Sequence, residues 1–188
     1  QHKESLSIVR RNGEHLATMI EGLLEISKIE AGKLSLNNDL VRLDIMLEQL
    51  TKMFKQQAEL KGLYFTYECS PNVPTAIKVD EKRLRQILIN LLSNAIKFTD
   101  KGGIKFSVMY RGHVARFHIS DSGCGIPPEH INHIFNRFYQ VGQENNSYYE
   151  GTGIGLATCK KIIENLNGQI WVKSEYGEGT SFFFTIPK

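Results

Sequence analysis

Nowhere in the 188 residues does an apolar run approach the roughly 18 needed to cross a bilayer, and no signal peptide opens the chain. The three cysteines, Cys69, Cys124 and Cys159, are odd in number, far apart and without metal-ligand spacing. That argues against a disulfide framework or a zinc site and fits reduced thiols in a cytoplasmic setting. Formal net charge is only +3, too weak to point to nucleic acid or an anionic membrane as partner. Neither a Walker-type G-x-x-x-x-G-K-S/T nor a Rossmann G-x-G-x-x-G occurs, and no internal repeat is found. What remains is ordinary for a globular protein, with 41% hydrophobic and 23% charged residues. The length suits one domain with its own core and a modest appendage. The chain opens with Gln1 rather than Met and runs straight into a helical pattern. A fragment is therefore expected, with a sensor domain or an inner-membrane anchor upstream left open.

No proline interrupts residues 3 to 31, where Leu6, Val9, Gly13, Leu16, Ile20, Leu23 and Ser27 alternate steps of three and four. This is a heptad-like stripe on one long helix, and it must be buried against a neighbour in this domain or in a second chain. Gly32 is a natural left-handed cap for it. A short strand is expected over Leu34 to Leu43, a helix over 43 to 61, and strands over Leu63 to Cys69 and Ala76 to Val79. Asp80 is suited to cap a helix running to about Phe98. Strands Ile104 to Tyr110 and Val114 to Ser120 follow, then a short helix over 128 to 135 and another over 154 to 166. Ile170 to Ser174 and Ser181 to Ile186 close as a hairpin through Gly177-Glu178-Gly179. Helices segregated from hairpins, without regular βαβ alternation, predict an α+β fold with helices on one face of a mixed sheet.

Two kinds of feature carry chemistry. On the helix after Asp80, Leu84, Ile87, Leu88, Leu91, Ala95 and Phe98 form one apolar face. Asn90, Asn94 and Lys97 form a second stripe at i, i+4 and i+7, roughly 90° around the helix. An asparagine carbonyl suits Mg²⁺ and a lysine suits phosphate oxygens, but the same stripe taken alone also reads as a solvated face. The second feature is a pair of glycine loops. Asp121-Ser122-Gly123-Cys124-Gly125 follows a strand and precedes Pro127-Pro128. It is either a plain strand-to-helix turn or a site where a flat ring meets a carboxylate that accepts from its amine. Gly151-Thr152-Gly153-Ile154-Gly155-Leu156 opens a helix and leaves backbone N–H groups free for phosphate. The polar run from Tyr139 to Glu150 fits either a mobile lid, with Phe135 and Phe138 at its base, or an ordinary loop. His130 and His133, without further ligands, read as a helix surface.

Taken in order, these segments resemble a known family. NLLSNAIKFT at 90 to 99 is similar to the N box of histidine kinases, within the ATPase superfamily shared with gyrase and Hsp90. DSGCGIP at 121 to 127 looks like the first glycine box, IFNRF at 134 to 138 like the F box, and GTGIGL at 151 to 156 like the second glycine box. GEGTSFFFTIP at 177 to 187 looks like the end of the domain. The likeness covers about residues 34 to 187, while LLEISKIEAGKL at 23 to 34 is similar to the second helix of the dimerisation and phosphoacceptor hairpin. The resemblance implies two segments, 1–33 from that hairpin and 34–188 as an ATP-binding catalytic domain. The implied fold is a two-layer α/β sandwich preceded by a long helix. It implies Asn94 as the Mg²⁺ ligand, with Asn90 and Lys97 near the phosphates and forming with it the catalytic set. Asp121 would meet the adenine amine, with Gly123, Gly125, Ile126 and, in the closing segment, Thr180 around the base. Gly151, Thr152, Gly153, Ile154, Gly155 and Leu156 would surround the phosphates, with Phe135 and Phe138 under the lid.

The superfamily's hydrolases carry a water-activating glutamate one turn before the Mg²⁺-binding asparagine. Here that position is Asn90, whose amide is no general base. Transfer to an acceptor, which needs little beyond positioning and charge neutralisation, is favoured over hydrolysis by a clamp-type ATPase. A regulatory pseudokinase and a pure dimerisation module are the remaining alternatives, the latter leaving the glycine loops unexplained. The family's phosphoacceptor, a histidine followed by an acidic residue, leucine and a basic residue, is matched by none of His2, His15, His113, His118, His130 or His133. The acceptor is therefore expected on a first hairpin helix outside this sequence. A homodimeric parent and a response regulator or receiver domain are the implied partners.

Overall fold

The computed structural model describes residues 2–32, 35–141 and 151–187, and in the first helix the side chains from residue 16 to residue 29 together with Arg10. The side chains of Leu6 and Val9, the strand start expected at Leu34, the 33/34 boundary and lid residues 142–150 lie outside the described residues. Helix α1 (His2–Glu30) ends where Gly32, at φ +64°, donates to the Ile29 carbonyl at 3.1 Å. After it come strand β1 (Asp39–Arg42), helix α2 (Leu43–Leu60), strands β2 (Tyr64–Cys69) and β3 (Ala76–Val79), and helix α3 (Glu81–Lys97). Strands β4 (Gly103–Arg111) and β5 (Val114–Asp121), helices α4 (Pro128–Ile131) and α5 (Gly155–Asn165), and strands β6 (Gln169–Glu175) and β7 (Gly179–Pro187) complete the chain.

A five-stranded sheet runs in the order β2-β4-β5-β7-β6, parallel between β2 and β4 and antiparallel elsewhere. Ile104, Phe106 and Val108 of β4, Ala115, Phe117 and Ile119 of β5, and Phe182, Phe184 and Ile186 of β7 are buried. Their period of two puts them on one face, where α2, α3 and α5 cover the sheet. Helix α3 contributes Leu84, Ile87, Leu88, Leu91, Leu92 and Ala95 to this core, each large side chain worth about 2 kcal/mol for leaving water. Its start is fixed by Asp80, whose carboxylate accepts the Arg83 N–H at 3.0 Å. The α+β architecture, its mixed sheet and the preceding helix are thus as the sequence implies.

Two local expectations change, and the pairing of the strands is added. The strand expected over 34 to 43 is the four residues of β1, because Leu43 already starts α2 and is fully buried there. Strands β2 and β3, adjacent in sequence, belong to different sheets, since β3 pairs antiparallel with β1 from Asp39↔Val79 to Arg42↔Ala76. The helix expected to reach 135 closes at Ile131. Beyond it His133 and Asn136 make three-residue turns, to the carbonyls of His130 and His133, and the Phe138 N–H is drawn to the Gly153 carbonyl. Among the described residues no helix is long and apolar enough to cross a membrane.

Helix α1 lies against α5. Ile26 is buried with Ile154 and Ala157, and Glu25 pairs with Arg83 and accepts from Gln86 Nε2 at 2.7 Å. Leu16, Ile20 and Leu24 on its other flank remain 58, 49 and 56% exposed.

Candidate functional site

A cleft of about 620 Å³ opens between the second half of α3, the loop after β5, α4 and the residues leading into α5. The amphipathic register of α3 places Asn90, Asn94 and Lys97 along its rim, because burying Ile87, Leu91 and Ala95 in the core turns that stripe to the cleft edge. Opposite stand Asp121, Gly125, Ile126 and Thr180. Gly151, Thr152, Gly153, Gly155 and Leu156 close the remaining side. A second cavity, about 540 Å³, separates α1 from α3 and α5 and shares Asn90, Thr152 and Gly155 with the first. The larger cleft gathers Asn94, Lys97, Asp121 and both glycine loops, so chemistry is to be sought there.

Asp121 ends β5 opposite Thr180. Burial pushes its carboxyl above the usual carboxylate range, and the N–H groups of Gly123, at 2.9 Å, and Thr180 pull it back. The result is a recessed acceptor beside the apolar walls of Ile126 and Phe182. The loop carrying it is fastened on both sides. Cys124 N–H donates to the Phe98 carbonyl at 3.2 Å, and Ile126 N–H donates to Ser174 Oγ at 2.8 Å. Ser174 Oγ also lies 2.9 Å from Thr180 Oγ1. Gly125 has φ +67°, and a Cβ there would stand 2.1 Å from the Glu175 carbonyl oxygen.

The second loop is fitted to side chains of α3. A Cβ on Gly155 would come within 2.6 Å of the Asn90 amide, and one on Gly151 within 3.2 Å of Lys97 Nζ. These two glycines therefore bring the backbone at the N-terminus of α5 up to the polar stripe. Behind Asn90 the Cys159 thiol is fully buried, which raises it to about 12 against a hydrogen bond to Asn90 that lowers it. Gln140 Nε2 donates to the Gly151 carbonyl at 2.7 Å.

Four residues expected at the site do not line this cleft. Gly123 lies against Phe98, where a Cβ would be 2.3 Å from the carbonyl oxygen. Phe135 meets Phe182 edge-on at 6.4 Å, Phe138 is half exposed at φ +60°, and Ile154 is buried against Ile26 of α1. Conversely, Cys124, His130, Tyr139, Gln140 and Tyr176 line the cleft, although no motif or spacing singles them out for chemistry. His130, expected on a helix surface, has Nδ1 2.5 Å from the Tyr139 hydroxyl. The i to i+9 spacing of that pair carries no periodic signal. Among the described residues no cluster of three or more histidine, cysteine or carboxylate side chains is placed to hold a metal. A cation here would rest on amide and ligand oxygens, as suits Mg²⁺.

Residues 79–188 match the family described as histidine kinase-, DNA gyrase B- and HSP90-like ATPase. Hybrid signal transduction histidine kinase B of Dictyostelium discoideum is 37% identical over 98% of this chain and 10% of that protein. The circadian input-output histidine kinase CikA of Synechococcus elongatus is 36% identical over 100% of this chain and 25% of its own length. The aerobic respiration control sensor ArcB of Escherichia coli is 36% identical over 99% and 24%. The chain thus spans a quarter or less of these relatives. Among solved structures, full-length ShkA in complex with AMPPNP superposes with a TM-score of 0.84 at 30% identity, over 98% of this chain and 38% of that one. The histidine kinase ThkA in complex with the response regulator TrrA gives 0.76 at 26% identity, over 100% and 52%. Matched over more than half its length, the chain belongs to the histidine kinase-, DNA gyrase B- and HSP90-like ATPase family.

Proposed function

We propose that the cleft binds ATP with Mg²⁺ and that the protein of which this chain is part is a sensor histidine kinase. Residues 34–188 would be its catalytic domain and residues 1–33 one helix of its dimerisation hairpin. The observation carrying this reading is the convergence of Asn94, Lys97, Asp121 and the Gly151–Leu156 loop on one cavity. The residues fit the nucleotide chemically. Asp121 offers a recessed acceptor for the adenine amine, and Thr180 and Ile126 flank it. Gly151 and Gly155 keep side chains out of the space between the loop and α3, which leaves a cradle for phosphate oxygens beside Lys97. Asn94 would hold Mg²⁺ through its amide oxygen, and bound Mg²⁺ would offset charge on the phosphates.

Asn90 favours transfer over hydrolysis. Its amide sits against Gly155, and an amide takes no proton from water at neutral pH. The proposed reaction moves the γ-phosphoryl group from ATP to an imidazole nitrogen, releasing ADP. Asn90, Asn94 and Lys97 act by positioning and charge complementarity. The acceptor would be a histidine outside these 188 residues, and an aspartate of a response regulator or receiver domain the next recipient. The exposed Leu16, Ile20 and Leu24 of α1 support pairing of two copies through hairpin helices. The free thiols of Cys69, Cys124 and Cys159 support a reducing, cytoplasmic setting.

Incubating the intact parent with γ-labelled ATP tests this. The reading expects acid-labile, base-stable label on a histidine, lost on Asn94→Ala. Steady ATP turnover by the present chain without an acceptor would support a hydrolase instead.

A further inference from the structure

At the C-terminus of α3 every carbonyl from Asn94 to Thr99 has a partner, and one residue at the end of another helix serves half of them. The Asn94 carbonyl accepts the Phe98 N–H at 3.0 Å, and that of Ala95 accepts Thr99 Oγ1 at 2.7 Å. Phe98 gives its carbonyl to the Cys124 N–H of the first glycine loop. The carbonyls of Ile96, Lys97 and Thr99 all accept from the Lys61 ammonium, at 2.8, 3.0 and 2.7 Å. These use the three donors an ammonium has. Asp100 at 3.6 Å, with its side chain 97% exposed, adds a solvent-screened pair and little more.

Lys61 is itself held. It caps α2, and Gly62 at φ +75° turns the chain so that Leu63 N–H reaches the Ala58 carbonyl at 2.9 Å and Gly62 N–H that of Glu59 at 2.9 Å. That double bond pattern is a Schellman cap, and it fixes the backbone from which the lysine reaches across to α3. The end of one helix thus ties down the end of another. The tied turn carries Lys97 and Phe98 into the cleft wall, and its Phe98 carbonyl is the seat of the loop after Asp121. It also places a cation on the negative end of the α3 dipole.

We propose that Lys61 is a positioning residue for the nucleotide site, acting through the last turn of α3 on Lys97 and the Asp121 loop. The assignment rests on the reading of the cleft as an ATP site. With Lys61 gone, three carbonyls turn to water, the 96–99 turn loosens, and the groups it aligns lose their register.

The test compares Lys61→Met, Lys61→Arg and, as a control for loss of a surface cation, Lys161→Met. Each is titrated calorimetrically with a non-hydrolysable ATP analogue and Mg²⁺ at a temperature where circular dichroism finds it fully folded. Amide hydrogen exchange is followed at Phe98 and Cys124. Lys61→Met is expected to bind about 10-fold more weakly and to exchange both amides at least about 10-fold faster. Lys61→Arg should recover most of the affinity, and Lys161→Met should match wild type. Unchanged affinity in Lys61→Met overturns the assignment, as does Lys61→Arg binding as weakly as Lys61→Met. If wild type binds no nucleotide, the reading of the cleft fails instead. Unchanged amide protection in Lys61→Met would then overturn the Lys61 assignment separately.

Discussion

The two glycine loops face each other across one cleft but are held by different means. The loop after β5 is locked by backbone and strand: its glycines meet the carbonyls of Phe98 and Glu175, and its amides are bonded to Phe98 and Ser174. The loop before α5 rests on backbone only at Gly153, which packs on Phe138 and accepts its N–H. Its two ends meet side-chain tips, Lys97 Nζ at Gly151 and the Asn90 amide at Gly155, and a Gln140 amide holds the Gly151 carbonyl. A site built this way has a stiff end and an adjustable end. The stiff end suits a planar base that must be read by one carboxylate. The adjustable end suits a chain of phosphates whose last member has to leave.

Substitutions should separate the two ends. Gly125→Ala meets the Glu175 carbonyl at 2.1 Å and forces a side chain to φ +67°. The Glu175 carbonyl and the Tyr176 Cα it would meet are backbone and cannot swing away, so a stability loss of about 3 kcal/mol or more is expected in chemical denaturation. Asp121→Asn should weaken ATP-analogue binding about 100-fold by calorimetry without lowering the melting temperature. Burial raises the folded pKa of this carboxyl, so its protonated form favours folding. That contribution is complete below the unfolded value of about 3.9 and is lost as pH rises through the folded value. At neutral pH the ionised group opposes folding. The Asn variant should melt at or above wild type there, and its advantage should shrink as pH falls into the carboxylate range.

Gly155→Ala meets only the end of the Asn90 side chain, and alanine suits the first turn of a helix. Its melting temperature should stay within a few degrees of wild type, while analogue affinity falls about 10-fold as Asn90 is displaced. Adenosine, lacking phosphates, should bind this variant as it binds wild type. Gln140→Ala removes one hydrogen bond to the Gly151 carbonyl and should cost about 2- to 5-fold in analogue affinity. If Gly155→Ala proved as destabilising as Gly125→Ala, the contrast between the ends would be lost.

Helix α3 was legible almost residue for residue, because its cap, apolar period and polar stripe repeat within one turn of each other. Asp80 caps it and Lys97 ends it. The separation of β2 from β3 was not legible. The partner of Tyr64 is Gly103, and a parallel pairing so distant leaves no local trace. At the cleft, Asn90, Asn94, Lys97 and Asp121 could be named because each sits at a fixed offset inside a motif. Tyr139 and Tyr176 stand on irregular backbone and His130 in the four-residue α4, too short for a period to say which way a side chain points. Glycine boxes announced their positions but not their contacts: Gly123 faces the Phe98 carbonyl rather than the cleft, and Ile154 serves the α1 interface. Lys61 lay outside every motif, since capping a distant helix depends on tertiary approach alone.

The central claim, that this cleft is an ATP site read by Asp121 and completed by Asn94, is tested most directly by calorimetric titration of the 188-residue chain with a non-hydrolysable ATP analogue and Mg²⁺. Asp121→Asn and Asn94→Ala are titrated beside it. The account predicts saturable one-site binding by the wild type, weakened by both substitutions, with only Asn94→Ala losing its response to Mg²⁺. No binding at millimolar ligand, or binding indifferent to both substitutions, would contradict it.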